Sequence, residues 1–414
     1  MRLVVYGINY LPELTGIGKY SGEMCEWLAG RGHQVRAVTA MPYYPEWRVP
    51  ESYRGRLYRR EQSAGVEVYR SNLFVPEAPT TPTRLLHLLS FAATSLPQVL
   101  RQRSWRPDVL IALEPTLFCA PGALAAARLC GAKSLLHIQD FELDAMLGLG
   151  MGKAGGLALS IERWLMRRFS AISTISYSMV ERAEAKLGSG HKVLFFPNWV
   201  DIDFVRPGRT GDPYREKWGL AGATKVVLYS GNMGRKQGLE IVLDAAAALA
   251  AEDVLFIMVG AGAAAEDLKT AAEARALGNV RFYPLQPYEQ LPELMALADV
   301  HLVVQRRGAA DAVLPSKLTT ILAAGGNALV TAEVHTELGK LCERHPGIAV
   351  RVEPEDPARL TEALRGMLAA VDVGHRRHNA IARAYAEQNL DKQRVLERFE
   401  ADLESLMETG AEHG

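Results

Sequence analysis

Cysteine is scarce in this sequence, and its spacing argues against disulfide and zinc chemistry. The 414 residues include four cysteines, none in a C-x-x-C arrangement: Cys25, Cys119, Cys130 and Cys342. The sequence therefore predicts neither a disulfide framework nor a zinc site, and it fits a reducing, cytoplasmic compartment. Asp201-Ile202-Asp203 has the D-x-D spacing of some metal sites, but it lies in a polar stretch that we interpret as a linker. We expect no metal and no other cofactor.

Net charge is also missing. Lysine and arginine together number 47, as do aspartate and glutamate. A balanced chain has no overall field that would attract a polyanion, so the composition argues against nucleic acid as a partner. With 48% hydrophobic and 23% charged residues, the chain has the balance of a globular protein that is long enough for two domains.

No hydrophobic run is long enough to span a membrane. The nearest candidate, Leu85–Leu100, contains His87 and Pro97 and is shorter than the roughly 20 apolar residues that a spanning helix needs. We interpret it as a core helix. The alternative is a patch that rests on the anionic inner face of a membrane, because Arg101, Arg103 and Arg106 follow it. The first residues, MRLVVYGINYLPE, predict a strand and a loop rather than a signal peptide.

The chain does contain a regular alternation of short apolar runs with helical periodicity. This order predicts an α/β protein with two Rossmann-like, doubly wound domains that face each other across a cleft. The alternation stops at the segment PNWVD, which starts at Pro197, and resumes at Lys225. We therefore assign residues 1–200 to the first domain and 201–385 to the second. We assign residues 386–414 to a C-terminal helical tail. A long charged amphipathic helix is predicted over about Ala380–Met407, and we expect it to pack back on the first domain.

Two loops of the first half are candidates for ligand contact. Gly16 and Gly18 lie in a predicted loop before a helix that starts near Tyr20, and glycines suit a backbone that approaches a ligand closely. Met41–Trp47, MPYYPEW, follows the second predicted strand, and its tyrosines suit a sugar, a lipid surface or simple loop packing. Four arginines come next, and a solvated edge, lipid headgroups or an acceptor diphosphate are the alternatives for them: Arg54, Arg56, Arg59 and Arg60.

His137 and Asp140 lie at the end of another predicted strand, Ser134–Ile138. Ligands of open α/β sheets bind at the carboxyl ends of the strands, so both residues are candidates for catalysis. A hydrogen-bonded core histidine is the alternative for His137. Asp140 is the better candidate, because an acid directly after a buried strand usually has a partner.

The stretch Lys225–Ala250 gives the clearest signal for an anion site. The strand-like run KVVLYS leads into GNMGRKQG and then into a helical pattern that starts at Leu239. Backbone N–H groups and the positive end of a helix dipole suit a phosphate there, and four residues are candidates to contact it: Gly231, Asn232, Arg235 and Lys236. An ordinary turn with two solvated cations is the alternative.

A second helix start lies in Ala310–Ala332. Pro315 suits the first position of a helix, and Gly325-Gly326 suits its end. The amides of Ser316 and Lys317 would then lack helical partners, with the Ser316 hydroxyl and the Lys317 ammonium beside them. Two positive helix starts in one half of the chain predict that a diphosphate binds between them.

These segments together resemble retaining glycosyltransferases of the GT-B fold in the large family 4. The likeness spans nearly the whole chain through GIGKY…LAGRGHQVRAVTA, PNWVD, SGNMGRKQGLE and PSKLTTILAAGG. Within that family it is similar to the WcaI-type fucosyltransferase branch of bacterial colanic-acid and exopolysaccharide synthesis. The resemblance implies a nucleotide sugar, GDP- or UDP-linked, in the second domain and a lipid-linked saccharide acceptor on the first.

The resemblance also implies roles for individual residues. Arg235 and Lys236 contact the donor diphosphate, and Gly16 and Gly18 approach the same phosphates. Many members carry two glutamates around the proline of the second block, for sugar and ribose hydroxyls. In this sequence Thr320 occupies the position of the second glutamate, and the position of the first falls near Ala312. Neighbouring Asp311 is therefore our candidate for the sugar contact. Transfer would retain configuration by front-face attack, with Asp140 and His137 orienting the acceptor or balancing charge.

Two further functions remain open at this point. A sugar-nucleotide 2-epimerase has the same fold, although the aromatic and basic Met41–Arg60 region argues for an acceptor surface. A non-catalytic sugar-nucleotide-binding subunit would account for the missing glutamates. We expect the glycosyltransferase, working at the inner face of the membrane.

Overall fold

The computed structural model describes residues 1–13, 16–77, 80–115, 117–141, 152–188, 190–308, 313–371 and 378–408. The chain forms two compact units. The first contains Met1–Phe196 with Leu396–Gly414, and the second contains Pro197–Val395. Each unit is built on its own mainly parallel sheet with helices on both faces, so the predicted pair of Rossmann-like domains is confirmed.

The first unit has an eight-stranded sheet in the order β3-β4-β2-β1-β5-β6-β7-β8. Its central strands were predicted because strands covered on both faces consist of nearly continuous apolar residues. The strand bounds are β1 Arg2–Tyr6, β2 Gln34–Ala40, β3 Tyr58–Ser63, β4 Val66–Ser71, β5 Val109–Glu114, β6 Lys133–Ile138, β7 Ala171–Thr174 and β8 Val193–Phe195.

The hairpin of β3 and β4 was not predicted. Strand β3, with the sequence YRREQS, is the only antiparallel member of this sheet among the described strands, and it lies at the edge. Charged side chains on an edge strand discourage pairing with another chain. They also remove the alternation of apolar and polar residues by which a strand is recognised in a sequence.

Five helices cover this sheet in the described part of the first unit, before the chain's last helix returns to it. They are α1 Gly16–Gly30, α2 Thr81–Arg101, α3 Ala120–Cys130, α4 Gly152–Met166 and α5 Tyr177–Leu187. Leu88, Phe91 and Val99 of α2 are buried, as expected for a core helix, whereas other leucines of the same helix are exposed. None of the described helices is long and apolar enough to cross a membrane.

The second unit has a six-stranded parallel sheet in the order β11-β10-β9-β12-β13-β14. Its strands are β9 Lys225–Ser230, β10 Val254–Val259, β11 Val280–Tyr283, β12 Val300–Val303, β13 Ala328–Thr331 and β14 Val350–Val352. Its helices are α6 Asp212–Trp218, α7 Glu240–Ala248, α8 Ala265–Ala274, α9 Leu291–Leu297, α10 Ser316–Ala323, α11 Glu337–Arg344, α12 Pro357–Ala370 and α13 Ala380–Asn389. Residues of β9 alternate between two apolar layers: Val226 and Leu228 in one, Val227 and Tyr229 in the other.

The long helix predicted over Ala380–Met407 is in fact two helices. Helix α13 ends at Asn389, and α14 runs over Lys392–Glu408. Between them the backbone pairs with Val200, whose N–H donates to the Leu390 carbonyl at 2.8 Å and whose carbonyl accepts from the N–H of Lys392 at 3.1 Å. No proline or glycine lies at this break, so no local sequence signal predicts it. The pairing with Val200, a distant residue of the chain, imposes it.

Helix α14 packs on the first unit, as predicted. The rings of Phe399 and Phe196 stack with centroids 3.8 Å apart. The Glu400 carboxylate accepts hydrogen bonds from His33 at 2.7 Å and Arg31 at 3.2 Å, and these donors hold its pKa below the usual range.

Candidate active site

The strand order of the second unit reverses at β9. Strands β10 and β11 lie on one side of β9, and β12 lies on the other. Ligands of open parallel sheets bind at the carboxyl ends of the strands at such a switch point. Here the two described segments that leave this point are the glycine-rich turn after β9 and residues 304–308 after β12.

The glycine-rich turn is held by the neighbouring turn after β10. Gly231 N–H donates to the Val259 carbonyl at 2.9 Å, and Met233 N–H donates to the Ala261 carbonyl at 2.8 Å. The two backbones are so close that a Cβ on Gly260 would lie 1.9 Å from the Gly231 carbonyl oxygen. The shape of the turn is therefore fixed by backbone contacts before any ligand arrives.

Arg235 and Lys236 lie in a single 3₁₀ turn, Arg235–Gln237, between β9 and α7, and their side chains are exposed. The Lys236 carbonyl accepts from the N–H of Arg306, which follows β12, at 3.0 Å. Asn232 is exposed in the same turn. The predicted cations are thus placed at the switch point, and their contact with a donor stays a prediction.

Helix α10 starts one residue later than predicted. Pro315 is its N-cap, not its first residue, and its φ of −59° with ψ of 129° lies outside the helical region. The amides of Ser316 and Lys317 are the first of the helix and have no intrahelical acceptor. They remain available to an anion, as the sequence predicted.

Lys317 links this helix to the glycine-rich turn. Its Nζ donates to the Tyr229 hydroxyl at 2.8 Å and lies 4.2 Å from the centre of the Tyr229 ring. The Tyr229 hydroxyl in turn donates to the carbonyl of Asn232 at 2.6 Å. A Cβ placed on Gly231 would be 3.4 Å from Cε of Lys317, so the side chain lies directly against the turn.

The charge of Lys317 is poorly compensated. Burial lowers its pKa to about 8, and in the part of the chain that the structure describes it has no ion-pair partner. An anion beside the ammonium would restore the charged form.

The role of Tyr229 could not be predicted from the sequence. It is the fifth residue of an apolar strand and resembles any other core position.

Thr320 lies one helical turn after Ser316 and is half-buried. Its hydroxyl is 3.5 Å from the Ser316 carbonyl. Asp311, our candidate for the sugar contact, lies outside the described residues, as does Ala312.

In the first unit, the predicted loop around Gly16 and Gly18 is wrong. Helix α1 starts at Gly16, so Gly16 is its first residue and Gly18 lies in its first turn. A side chain at position 18 would collide with a neighbour in the same unit, because a Cβ on Gly18 would lie 2.8 Å from Cβ of Glu13. Gly16 is exposed with a φ of +58°, which glycine adopts without strain. A contact of either with a donor stays a prediction.

Glu13 is a buried carboxylate that sequence reasoning missed. It accepts hydrogen bonds from the backbone N–H groups of Tyr43 and Tyr44 at 2.9 and 3.0 Å, and from the Asn9 amide at 2.9 Å. Burial is the main effect on its pKa, which is raised. These contacts hold the MPYYPEW loop against the segment that follows β1, with Tyr43 buried and Tyr44 exposed.

The arginines of the β3–β4 hairpin favour the solvated edge over a lipid or diphosphate site. Arg59 pairs with Glu61 at 3.1 Å, and Arg60 pairs with Glu67 at 3.1 Å. These partners already neutralise much of the charge that a phosphate would need.

His137 is buried at the carboxyl end of β6. Its Nδ1 is 2.9 Å from the Ser173 hydroxyl, its Nε2 is 3.0 Å from the Gln139 amide, and its ring packs against Phe196. Burial lowers its pKa to about 3, so the ring is neutral at physiological pH. These contacts favour the core-histidine alternative. Asp140 follows β6 and is exposed, and its catalytic role stays a prediction.

We expect His137→Ala to reduce stability more than activity. Loss of a buried, hydrogen-bonded ring should lower the free energy of unfolding by roughly 2–4 kcal/mol through the cavity and the unpaired Ser173 hydroxyl. The turnover of folded protein should change little, because the substitution removes no group that contacts the substrate. Urea unfolding and donor turnover at low temperature measure the two effects. A hundredfold loss of turnover with unchanged stability would instead establish a catalytic role.

The D-x-D segment has a structural account. The Asp201 carboxylate accepts from the N–H groups of Asp203 and Phe204 at 3.1 and 2.9 Å, which closes a turn. Among the described residues no cluster of three or more histidine, cysteine or acidic side chains could hold a metal ion.

Comparisons with known proteins agree with this architecture. Residues 15–199 match the glycosyl transferase 4-like domain, and residues 212–397 match glycosyl transferases group 1. The chain is 51% identical over 411 residues to a colanic acid biosynthesis glycosyl transferase, WcaI, of Escherichia coli K12, covering 97% of this chain and 100% of that protein.

Solved structures of the same fold are more distant in sequence. Sucrose-phosphate synthase from Thermosynechococcus elongatus superposes with a TM-score of 0.74 at 14% identity, covering 99% of this chain and all of the other. HepE of Anabaena in complex with UDP superposes with a TM-score of 0.68 at 15% identity, covering 98% of this chain and all of the other. The chain therefore belongs to the glycosyltransferases of the GT-B fold, with a 4-like first domain and a group 1 second domain.

Proposed function

We propose that the chain transfers a sugar from a nucleotide-sugar donor to a lipid-linked saccharide in the synthesis of a colanic-acid-type exopolysaccharide. The single observation that carries the donor assignment is Lys317, a partly buried ammonium without an ion-pair partner in the described residues, directly against the Gly231 turn. A diphosphate is the ligand that would complete it, because it supplies the missing negative charge at a helix start.

The relatives support the polymer and the donor class. The E. coli relative is described as a colanic acid biosynthesis glycosyl transferase, and HepE has been solved with UDP-glucose. For this chain we propose GDP-fucose as the donor and a polyprenyl-diphosphate-linked saccharide as the acceptor, which places the enzyme at the inner face of the membrane.

We propose that transfer proceeds with retention. The bond between the sugar C1 and the diphosphate oxygen breaks while the acceptor oxygen bonds to C1 from the same face, and the leaving phosphate oxygen takes the acceptor proton. Lys317, Arg235, Lys236 and the first amides of α10 would stabilise the negative charge that develops on the leaving group. Anomeric NMR of the product tests this: an inverted product contradicts it.

A thermal-shift screen against GDP, UDP, ADP and their sugar conjugates tests the donor. We expect GDP and GDP-fucose to stabilise the protein selectively, by about 2.7 kcal/mol at 100 times the dissociation constant. A selective response to UDP instead would still support a glycosyltransferase, but it would contradict GDP-fucose as the donor. No response to any nucleotide would contradict the donor site.

Slow hydrolysis of the donor without acceptor completes this test. Because water can replace the acceptor, a transferase should release the nucleotide slowly. Nucleotide binding without any hydrolysis would favour a non-catalytic subunit, which the missing glutamates also fit.

A further inference from the structure

Four helices, α2 to α5, share one face of the first sheet. The connections β4–α2–β5, β5–α3–β6, β6–α4–β7 and β7–α5–β8 all join parallel strands and proceed in the same direction across the sheet. Such crossovers are right-handed, so their helices share a face. Helices α2 and α3 pack against each other, and we call the outer side of α2, α3 and α4 the outer helical face.

The outer helical face exposes large apolar side chains at helical spacing. On α4, Leu157, Ile161 and Trp164 follow an i, i+4, i+7 pattern and are 68%, 48% and 54% exposed. The other side of α4 is packed, with Leu165 and Met166 buried. The stripe is thus a second apolar surface on a helix whose core contacts are already made. The other exposed members are Leu86, Leu89 and Leu96 of α2 and Leu129 of α3.

The same face is cationic. The exposed arginines on or directly after these helices are Arg84, Arg101, Arg103, Arg106, Arg128, Arg163, Arg167 and Arg168. The one acid in α2, α3 and α4 is Glu162, which is buried and paired with Lys186, whereas α5 on the same face of the sheet exposes Glu181 and Glu184 beside Arg182. This differs from the β3–β4 hairpin, where glutamates neutralise the arginines.

Trp164 and Arg168 combine both properties at one point. The Arg168 guanidinium lies 3.4 Å from the centre of the Trp164 ring, and it also donates to the Trp164 carbonyl at 2.8 Å. Tryptophan and arginine are the side chains that anchor helices at the level of lipid headgroups.

We propose that the outer helical face docks on an anionic lipid bilayer, with the α4 stripe in the headgroup region and the arginines on lipid phosphates. Charge decides between a bilayer and a second copy of the chain: two such faces opposed would bring eight exposed arginines from each copy together, with only the two exposed glutamates of the described helix α5 on this face to pair them. The purpose of such docking, delivery of the enzyme to a lipid-linked acceptor, rests on the proposed function. The docking surface itself is defined only by the exposure and charge of its residues.

Vesicle flotation of the full chain tests the proposal. We expect binding to phosphatidylcholine vesicles that contain about one third phosphatidylglycerol, little binding to phosphatidylcholine alone, and weaker binding at high salt. The triple variant Leu157→Ser, Ile161→Ser, Trp164→Ser should lose at least tenfold in vesicle affinity. The matched control replaces three apolar residues exposed elsewhere, Leu57→Ser, Val350→Ser and Ile381→Ser, and should bind as the natural chain does.

The outcomes separate this proposal from the proposed function. Equal binding by the triple variant and the natural chain, or no vesicle binding by the natural chain, overturns the docking face. A dimer that the triple variant abolishes in sedimentation, without vesicle binding, assigns the face to a second copy and also overturns it. Donor hydrolysis in vesicle-free buffer is measured in parallel, with thermal midpoints to confirm folding. Hydrolysis without docking rejects only the face, and docking without nucleotide binding rejects only the proposed function.

Discussion

Replacing Lys317 by methionine should lower the kcat/KM for the donor by roughly 100- to 1,000-fold, which is the usual effect of removing one group that stabilises a leaving oxyanion. Methionine keeps an unbranched side chain of similar length, so the contact with Tyr229 and the Gly231 turn is largely filled while the charge is lost. Steady-state hydrolysis or transfer measures the loss.

The pH dependence identifies the charge as the cause. Burial lowers the pKa of Lys317 to about 8 in the free protein, so the ammonium is present below pH 8 and is lost as the pH rises through that value. The kcat/KM of the natural chain, which reports groups of the free enzyme, should therefore fall above pH 8. The methionine variant should show a low, flat profile in that range, because it has no ammonium to lose.

Lys225→Met is the matched control for both measurements. Lys225 lies at the amino end of β9, opposite to the glycine-rich turn, and its Nζ donates to the Leu368 carbonyl. This variant should keep the natural kcat/KM and its decline above pH 8. A fall of the same size in both variants, or an unchanged pH profile in Lys317→Met, would contradict the assignment of Lys317 to the donor.

The fold was largely predictable because its strands are covered on both faces. Runs such as Val254–Val259 are apolar throughout, and the helices between them have a clear apolar stripe. Prediction failed where distant contacts decide the structure. The polar hairpin strand Tyr58–Ser63 forms only because β4 pairs with it, and the break after Asn389 forms because Val200 pairs there.

The candidate site was predicted in outline from local physics. Glycines after a strand and a proline before a helix indicated Gly231 and Lys317 as anion-binding positions, and the structure brings these two together. The supporting residues could not be found in this way. Tyr229 holds Lys317 across 88 positions of sequence, and Gly260 supports Gly231 from the neighbouring strand. Neither carries a local signal, because their roles depend on which strands are adjacent.

That dependence makes Gly260 the most sensitive position of the turn. Its φ of +140° is rarely adopted by residues with side chains, and a Cβ there would lie 1.9 Å from the Gly231 carbonyl oxygen. The obstacle is backbone and cannot rotate away. Gly260→Ala should therefore lower the free energy of unfolding by roughly 2–4 kcal/mol and displace the Gly231 turn. Urea unfolding measures the first effect, and nucleotide titration of folded protein should show at least tenfold weaker binding.

Gly278→Ala is the control for this substitution. Gly278 also lies in a loop of the second unit, but a Cβ there meets no atom within 4 Å, and its φ is outside the left-handed region. Its stability should change by less than about 1 kcal/mol, and alanine can even stabilise such a position by restricting the unfolded chain. Loss of nucleotide affinity in Gly260→Ala but not in Gly278→Ala would show that the paired turns after β9 and β10 shape the donor site. Equal affinity in both would mean that the nucleotide does not depend on the Gly231 turn, and the donor site would have to lie elsewhere.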